Sequence, residues 1–198
     1  MRIFPDFLEL RVFTAAWQRQ VPGEVVDVAT RGGPSPSLAV LYSPSKGKGS
    51  RRAAIFDAQG NVIHAGSVEA QAEQIEFVGE QGVFVYGNGI KGQYLALLEG
   101  DGKKLVERWR RGASRHADYS SQMIAASDLA IIGFEDSQPS TRHSHLLAFD
   151  RDGKLKFNIP LMTEDGAYLY AQAFSESRSF LGVGTDDSYL SGYRVSGE

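Results

Sequence analysis

Leu147-Ala148-Phe149-Asp150-Arg151-Asp152-Gly153-Lys154 sets an apolar run ending on a carboxylate, a glycine three residues later, and a strand-like run, Leu155-Lys156-Phe157, behind it. The phrase occurs twice more, as Ala54-Ile55-Phe56-Asp57-Ala58-Gln59-Gly60-Asn61 and as Ala96-Leu97-Leu98-Glu99-Gly100-Asp101-Gly102-Lys103. Each copy reads as strand, tight turn, strand. The anchors Gly60, Gly102 and Gly153 are spaced by 42 and 51 residues (60 to 102, 102 to 153), within the range of propeller blades.

If the turn links the third and fourth strands of a unit, two further strands belong upstream of each copy. Glu24 to Ala29 and Ser37 to Tyr42 precede the first, Gln74 to Val78 and Val83 to Tyr86 the second, Gln122 to Ala126 and Leu129 to Phe134 the third. Val62 to Ala65, Lys104 to Trp109 and Leu155 to Ile159 supply the fourth strands. All are short, rich in β-branched or aromatic residues and bounded by Gly, Ser, Pro and Asp.

A fourth unit begins with Tyr168 to Phe174, Phe180 to Gly184 and Tyr189 to Val195, without a fourth strand behind it. Residues 7–14, Phe7-Leu8-Glu9-Leu10-Arg11-Val12-Phe13-Thr14, are strand-like and belong to no complete unit. Closing a ring removes unpaired edges, so residues 7–14 are expected to complete the last blade. The competing expectation for them is an amphipathic helix running through Trp17. The fold expected is therefore an all-β, small β-propeller of about four four-stranded blades in one domain over 1–198, with blades near 24–66, 72–110, 121–160 and 168–195 plus strand 7–14. Two stretches, Gly32 to Arg52 with Lys46-Gly47-Lys48-Gly49-Ser50, and Glu135 to Ser144 with Pro139, read as mobile hairpin loops and candidate contact surfaces.

The third copy, continuing to Ile159-Pro160-Leu161, resembles the repeat of the PQQ-like, or quinoprotein-like, β-propellers, whose apolar strand ends in Asp before a Gly-Lys turn and a strand with a central Trp. Phe157 stands in that Trp place, His64 stands where an aromatic is expected in the first copy, and Trp109 is displaced from it in the second. The resemblance covers most of the chain and implies a propeller fold. It supports no catalytic carry-over: the dehydrogenases of the family are larger, and their quinone and calcium sites have no counterpart in this sequence. The small non-catalytic relatives imply a scaffold in a protein assembly. Four blades form either a minimal ring or half of a larger one completed by a second copy or another subunit.

The 198-residue chain carries 21 basic and 24 acidic residues, a net charge of −3 that offers no overall attraction to nucleic acid or anionic lipid. It has no cysteine, which excludes disulfides, zinc-thiolate sites and a thiol nucleophile. Asp6, Glu9 and Arg11 interrupt the N-terminal stretch where a signal peptide needs continuous apolar sequence, and no run has the length of a membrane span. The expected location is the cytoplasm, without membrane insertion.

Gly87-Asn88-Gly89-Ile90-Lys91-Gly92 has the dinucleotide-binding spacing, but a strand follows where that motif needs a helix, so a hairpin turn is expected. Lys46 to Ser50 lacks phosphate-loop spacing. His143 and His145 share a strand face and give two metal ligands at most. Asp150-Arg151-Asp152-Gly153 begins like a calcium loop, yet Leu161 stands where the bidentate Glu belongs. Asp57, Glu99 and Asp150 with Gly60, Gly102 and Gly153 are expected to serve the turns. Arg108, Arg110, Arg111 and Arg115, with His116, form the dense basic cluster, which reads first as a plain solvated face and, as a contact, suits an acidic protein surface rather than nucleic acid.

Glu135-Asp136, Glu164-Asp165 and Asp186-Asp187 are adjacent carboxylates in loop-like stretches, the pattern of solvated charge. No Ser-His-Asp or H-E-x-x-H signature marks an enzyme. The expected role is a non-catalytic protein-binding or scaffold propeller without a cofactor, binding one or more proteins and compatible with a homo-oligomer. Its candidate contacts are 43–52, Arg108 to Arg115 with His143 and His145, and 135–144. The alternative is an enzyme or a glycan- or small-ligand-binding propeller using an axial pocket, where catalytic groups from several blades would leave no local motif.

Overall fold

A computed structural model describes residues 16–45, 50–80, 82–89, 92–112, 123–126, 128–138, 141–161, 169–175, 180–185 and 190–194, and every element in them is a strand. Strands β1 (Gly23–Arg31), β2 (Ser37–Pro44), β3 (Arg51–Asp57) and β4 (Val62–Val68) form an antiparallel meander. So do β5 (Ala72–Val78), β6 (Gly82–Gly89), β7 (Gly92–Asp101) and β8 (Lys104–Gly112), and again β9 (Met123–Ala126), β10 (Leu129–Gln138), β11 (Thr141–Asp150) and β12 (Leu155–Leu161). A three-stranded sheet follows, of β13 (Leu169–Ser175), β14 (Phe180–Thr185) and β15 (Leu190–Arg194). One parallel pair, Ala65 with Lys104, joins the first two meanders into an eight-stranded sheet. Residues 7–14 lie outside the described residues, as do 46–49.

The first strands of the meanders stand side by side: β5 packs against β1 and β9, and β9 against β13. Each sheet therefore radiates outward from a shared inner row, which is the arrangement of propeller blades. Middle strands are covered on both faces, β2 and β3 by the second sheet on one side and by Trp17 and Val21 on the other, and are apolar on both. Ala39-Val40-Leu41-Tyr42 and Leu95-Ala96-Leu97-Leu98 are buried throughout, instead of alternating. One core fills the first junction, with Leu41 and Ile55 against Ile75, Val83 and Val85. A second sets Phe84, Tyr86 and Leu97 against Met123 and Ile132, and a third Ile131 and Ala148 against Leu181 and Tyr193.

The third-to-fourth strand hairpins share a bulge. Ile55 lies opposite His64 while Phe56 lies opposite Val62; Ala148 faces Phe157 while Phe149 faces Leu155; Leu97 faces Trp109 while Leu98 faces Glu107. His64, Phe157 and Trp109 thus hold one equivalent position. The apparent displacement of Trp109 arises because its hairpin runs on through Gly100 and Asp101 before turning at Gly102 and Lys103.

Of the two expected loops, the first holds the strand expected at Ser37 to Tyr42 and the second is mostly strand. Between Gly32 and Arg52, β2 occupies Ser37–Pro44. Across 135–144, Glu135 pairs with Ser144 and Gln138 with Thr141, so β10 and β11 continue as a ribbon. Among the described residues β9 pairs with β10 as far as Ile132 and β12 with β11 as far as Ser144, so the tip needs no apolar pattern and its composition reads as loop. Gly89 pairs with Gly92 across the segment with dinucleotide-motif spacing, which is a hairpin. No helix of the described residues is long and apolar enough to cross a membrane.

Candidate binding surface and blade junctions

Asp57 organises its turn by accepting the backbone N–H of Gln59 at 2.9 Å and of Asn61 at 2.8 Å on one oxygen, and the Asn61 side-chain amide at 3.0 Å on the other. The Asn61 hydrogen bonds, backbone first, hold its carboxyl below the ordinary value. Asp150 repeats the arrangement with Asp152 N–H at 3.0 Å and Lys154 N–H at 2.8 Å. Gly60 and Gly153 close these turns at φ 77° and 74°, a left-handed conformation that favours glycine. Glu99 departs from the expected turn role. Its longer hairpin turns at Gly102, φ 57°, and its carboxylate instead bridges Arg108 Nε at 3.1 Å and Arg151 Nε at 2.7 Å.

The outer strand of each sheet reaches the turn of the next. Trp109 donates its indole N–H to Arg151 O at 2.7 Å and lies over Gly153. His64 sets Nδ1 2.8 Å from Gly102 O, with its ring against Gly100. Trp17 covers Gly60 in the same manner and stacks on Phe56 at 5.9 Å between centroids. Sequence reading singled out Trp109 and His64 but not the contacts they make, because the turn each one meets belongs to the following repeat.

Arg108, Arg110 and Arg111 do not form a free basic face. Arg108 is paired with Glu99, Arg110 with both Glu107 and Glu69, and Arg111 donates Nε–H to Gly153 O at 2.9 Å. Arg110 also lies over the Tyr94 ring, 5.2 Å from its centroid. The Glu107 hydrogen bonds push the Arg110 pKa upward, and burial raises that of Tyr94. Arg115 and His116 lie outside the described residues. His145 Nδ1 is 2.8 Å from Asn158 Oδ1; His143 is on the same strand, with its side chain outside the description. Among the described residues no group of three or more His, Asp or Glu gathers as a metal site.

Polar groups of the inner strands, which sequence reading missed, join the sheets. Asp27, just past the bulge of β1, accepts Ile75 N–H at 2.8 Å, and Gln74, just past the bulge of β5, accepts Met123 N–H at 2.5 Å. Their shared register makes these one repeated device. Glu76 lies near Asp27, and burial, then the Asp27 charge, pushes its pKa from 4.5 to about 7. Burial also raises Glu73, against the opposing charge of Arg51.

Two clefts open at the blade edges. One of about 390 Å³ is lined by Arg31, Ser35, Ile63, His64 and Glu80. Arg31 is held there by Gly79 O at 3.0 Å, Glu80 O and Ser37 Oγ at 3.0 Å, so it fixes the junction. The other, about 370 Å³, lies on the far side of the first sheet among Val21, Tyr42, Phe56 and Val62.

No family model and no curated protein matches the sequence. Two crystal structures of Sqt1 from Chaetomium thermophilum superpose on it with TM-scores of 0.56 and 0.55 at 12% identity, each covering 88% of this chain and 44% of that chain. The chain thus spans under half the length of those structures. With the radial sheets sharing an inner row, this likeness identifies the architecture as an all-β fold of the propeller type.

Proposed function

We propose that the chain is a non-catalytic scaffold, a single propeller domain over residues 1–198 that binds a protein partner through its blade edges within an assembly in the cytoplasm. It carries four blades of the PQQ-like repeat, with residues 7–14 giving the outer strand of a last blade. The shared register of His64, Trp109 and Phe157 supports that family relation, because the aromatic place recurs in all three hairpins.

The observation that carries the scaffold reading is the use of polar groups at the junctions. Asp27, Gln74, Trp109 and Arg111 all spend hydrogen bonds on the backbone of a neighbouring sheet. Such groups fix shape, whereas catalytic groups must face a substrate. The partner is met by the β10–β11 ribbon, whose β10 edge is paired by β9, among the described residues, only as far as Ile132 and suits strand addition beyond it. The alternative, an axial site for catalysis or for a glycan or small ligand, draws on the neighbouring carboxyls Asp27 and Glu76.

The test replaces residues 135–144 by an Asn-Gly turn and compares proteins co-purified from the native source. Loss of a stoichiometric partner with an unchanged far-UV spectrum is the expected result. Retention of the same partner, or a glycan or metabolite bound one to one in native mass spectra, overturns the reading.

A further inference from the structure

β3, β5 and β7 begin at one rim of the first junction, and two hydrogen-bond donors are sealed there without an acceptor. Tyr94 is 7% exposed, and its hydroxyl has no hydrogen-bond partner among the described residues. Arg51 is part-exposed, but its Nη1 is buried and equally without a partner, and no described carboxylate forms an ion pair with it. The two are neighbours, because the Arg51 charge acts on both the Tyr94 phenol and the Glu73 carboxyl. Buried donors left unanswered cost free energy, so folded proteins pair nearly all of them.

The seat of the phenol is specific. Tyr94 lies opposite Gly87 in the ladder, and a Cβ on Gly87 would lie 2.8 Å from the Tyr94 hydroxyl, besides meeting Gln71 O. The first glycine of the stretch with dinucleotide-motif spacing therefore makes room for this side chain. Arg110 lies over the ring and is itself engaged by Glu69 and Glu107. Burial holds the phenol above its ordinary value, so the hydroxyl stays protonated and a donor.

One cationic and one neutral donor are met together by a group with two oxygens and a single charge. A carboxylate fits on both counts. A phosphate would set a second negative charge beside Glu73 and Glu69, whose charges already reach Tyr94. We propose that Arg51 and Tyr94 bind the carboxylate of a ligand from outside the chain, with Arg51 Nη1 donating to one oxygen and the Tyr94 hydroxyl to the other. The part-exposed Arg51 gives the route of entry. This inference rests on the fold and is independent of the ribbon as a partner site.

Tyr94→Phe removes the hydroxyl and keeps the ring. In buffer without carboxylates it is expected to melt no lower than the unmodified chain; a clear drop would show that the hydroxyl already has its acceptor and would overturn the proposal. Sodium acetate, titrated at constant ionic strength against sodium chloride, is expected to shift the side-chain NMR signals of Arg51 and Tyr94 together toward saturation. Affinity falls at least about tenfold in Arg51→Gln, read on Tyr94, and in Tyr94→Phe, read on Arg51. A capped Gly-Glu-Gly peptide run in parallel distinguishes the sources. Tighter binding of the peptide assigns the carboxylate to an acidic side chain of a protein, tighter binding of acetate to a free organic acid, and each supports the proposal. Shifts that stay linear in concentration for both probes, or an affinity unchanged in either variant, overturn it.

Discussion

The ring of Trp109 occupies the space above Gly153, where a Cβ would come within 2.8 Å of its Cδ2 atom. The absence of a side chain at Gly153 is therefore a requirement of the neighbouring sheet as well as of its own turn. Gly153→Ala meets both the indole and the positive φ, and is expected to destabilise the protein by about 1–3 kcal/mol. Trp109→Ala should cost about 2–4 kcal/mol, and Trp109→Phe, which keeps the ring contact but loses the N–H donated to Arg151 O, about 1 kcal/mol. Urea unfolding of the three variants checks the order, and equal losses for Trp109→Phe and Trp109→Ala would show that the indole makes no packing contribution.

The aspartate turns behave differently from the hairpin led by Glu99. Asp150→Ala leaves the Asp152 and Lys154 amides without their acceptor and is expected to cost about 1–2 kcal/mol. Glu99→Ala removes only partly exposed ion pairs to Arg108 and Arg151 and should cost less than about 1 kcal/mol. Thermal unfolding at two salt concentrations separates them: the Glu99 effect shrinks with salt, and the Asp150 effect does not.

Glu76 gives the fold a pH dependence of defined sign. Its folded pKa of about 7 lies above its ordinary 4.5, so the folded state binds more protons than the unfolded state between these values. Its unfavourable contribution therefore grows as pH rises from 4.5 to about 7 and is constant above. Glu76→Gln should stabilise the protein by about 1–2 kcal/mol at pH 8, after allowance for solvent screening, and change little at pH 4. Denaturation midpoints at the two pH values measure this; a gain that is the same at both would show that ionisation of Glu76 is not its source.

The turns at Gly60 and Gly153 were legible in the sequence because Asp and Gly at fixed spacing have a local mechanism, seen in the bonds to Asp57 from Asn61 N–H and to Asp150 from Lys154 N–H, whereas Glu99 at the equivalent place serves ion pairs instead. The place of Trp109 was hidden because a longer hairpin changes the count along the chain but not the register across it. The ribbon at 135–144 looked like loop because strands that extend past their neighbours need no apolar pattern. The junction bond from Ile75 to Asp27 spans 48 residues and follows only from how consecutive sheets stand beside each other. For the same reason Arg108 and Arg110 read as a basic patch: besides Glu107 on their own strand, their carboxylate partners Glu99 and Glu69 arrive from another strand and a loop.

The bonds from Ile75 N–H to Asp27 and from Met123 N–H to Gln74, which join neighbouring sheets, make amide hydrogen exchange the most direct measurement of the account. Asp27→Ala is expected to speed exchange of the Ile75 amide at least about tenfold while the hairpin amides of the first sheet keep their protection, and Gln74→Ala to do the same for Met123. Unchanged protection of the Ile75 and Met123 amides in these variants would contradict it.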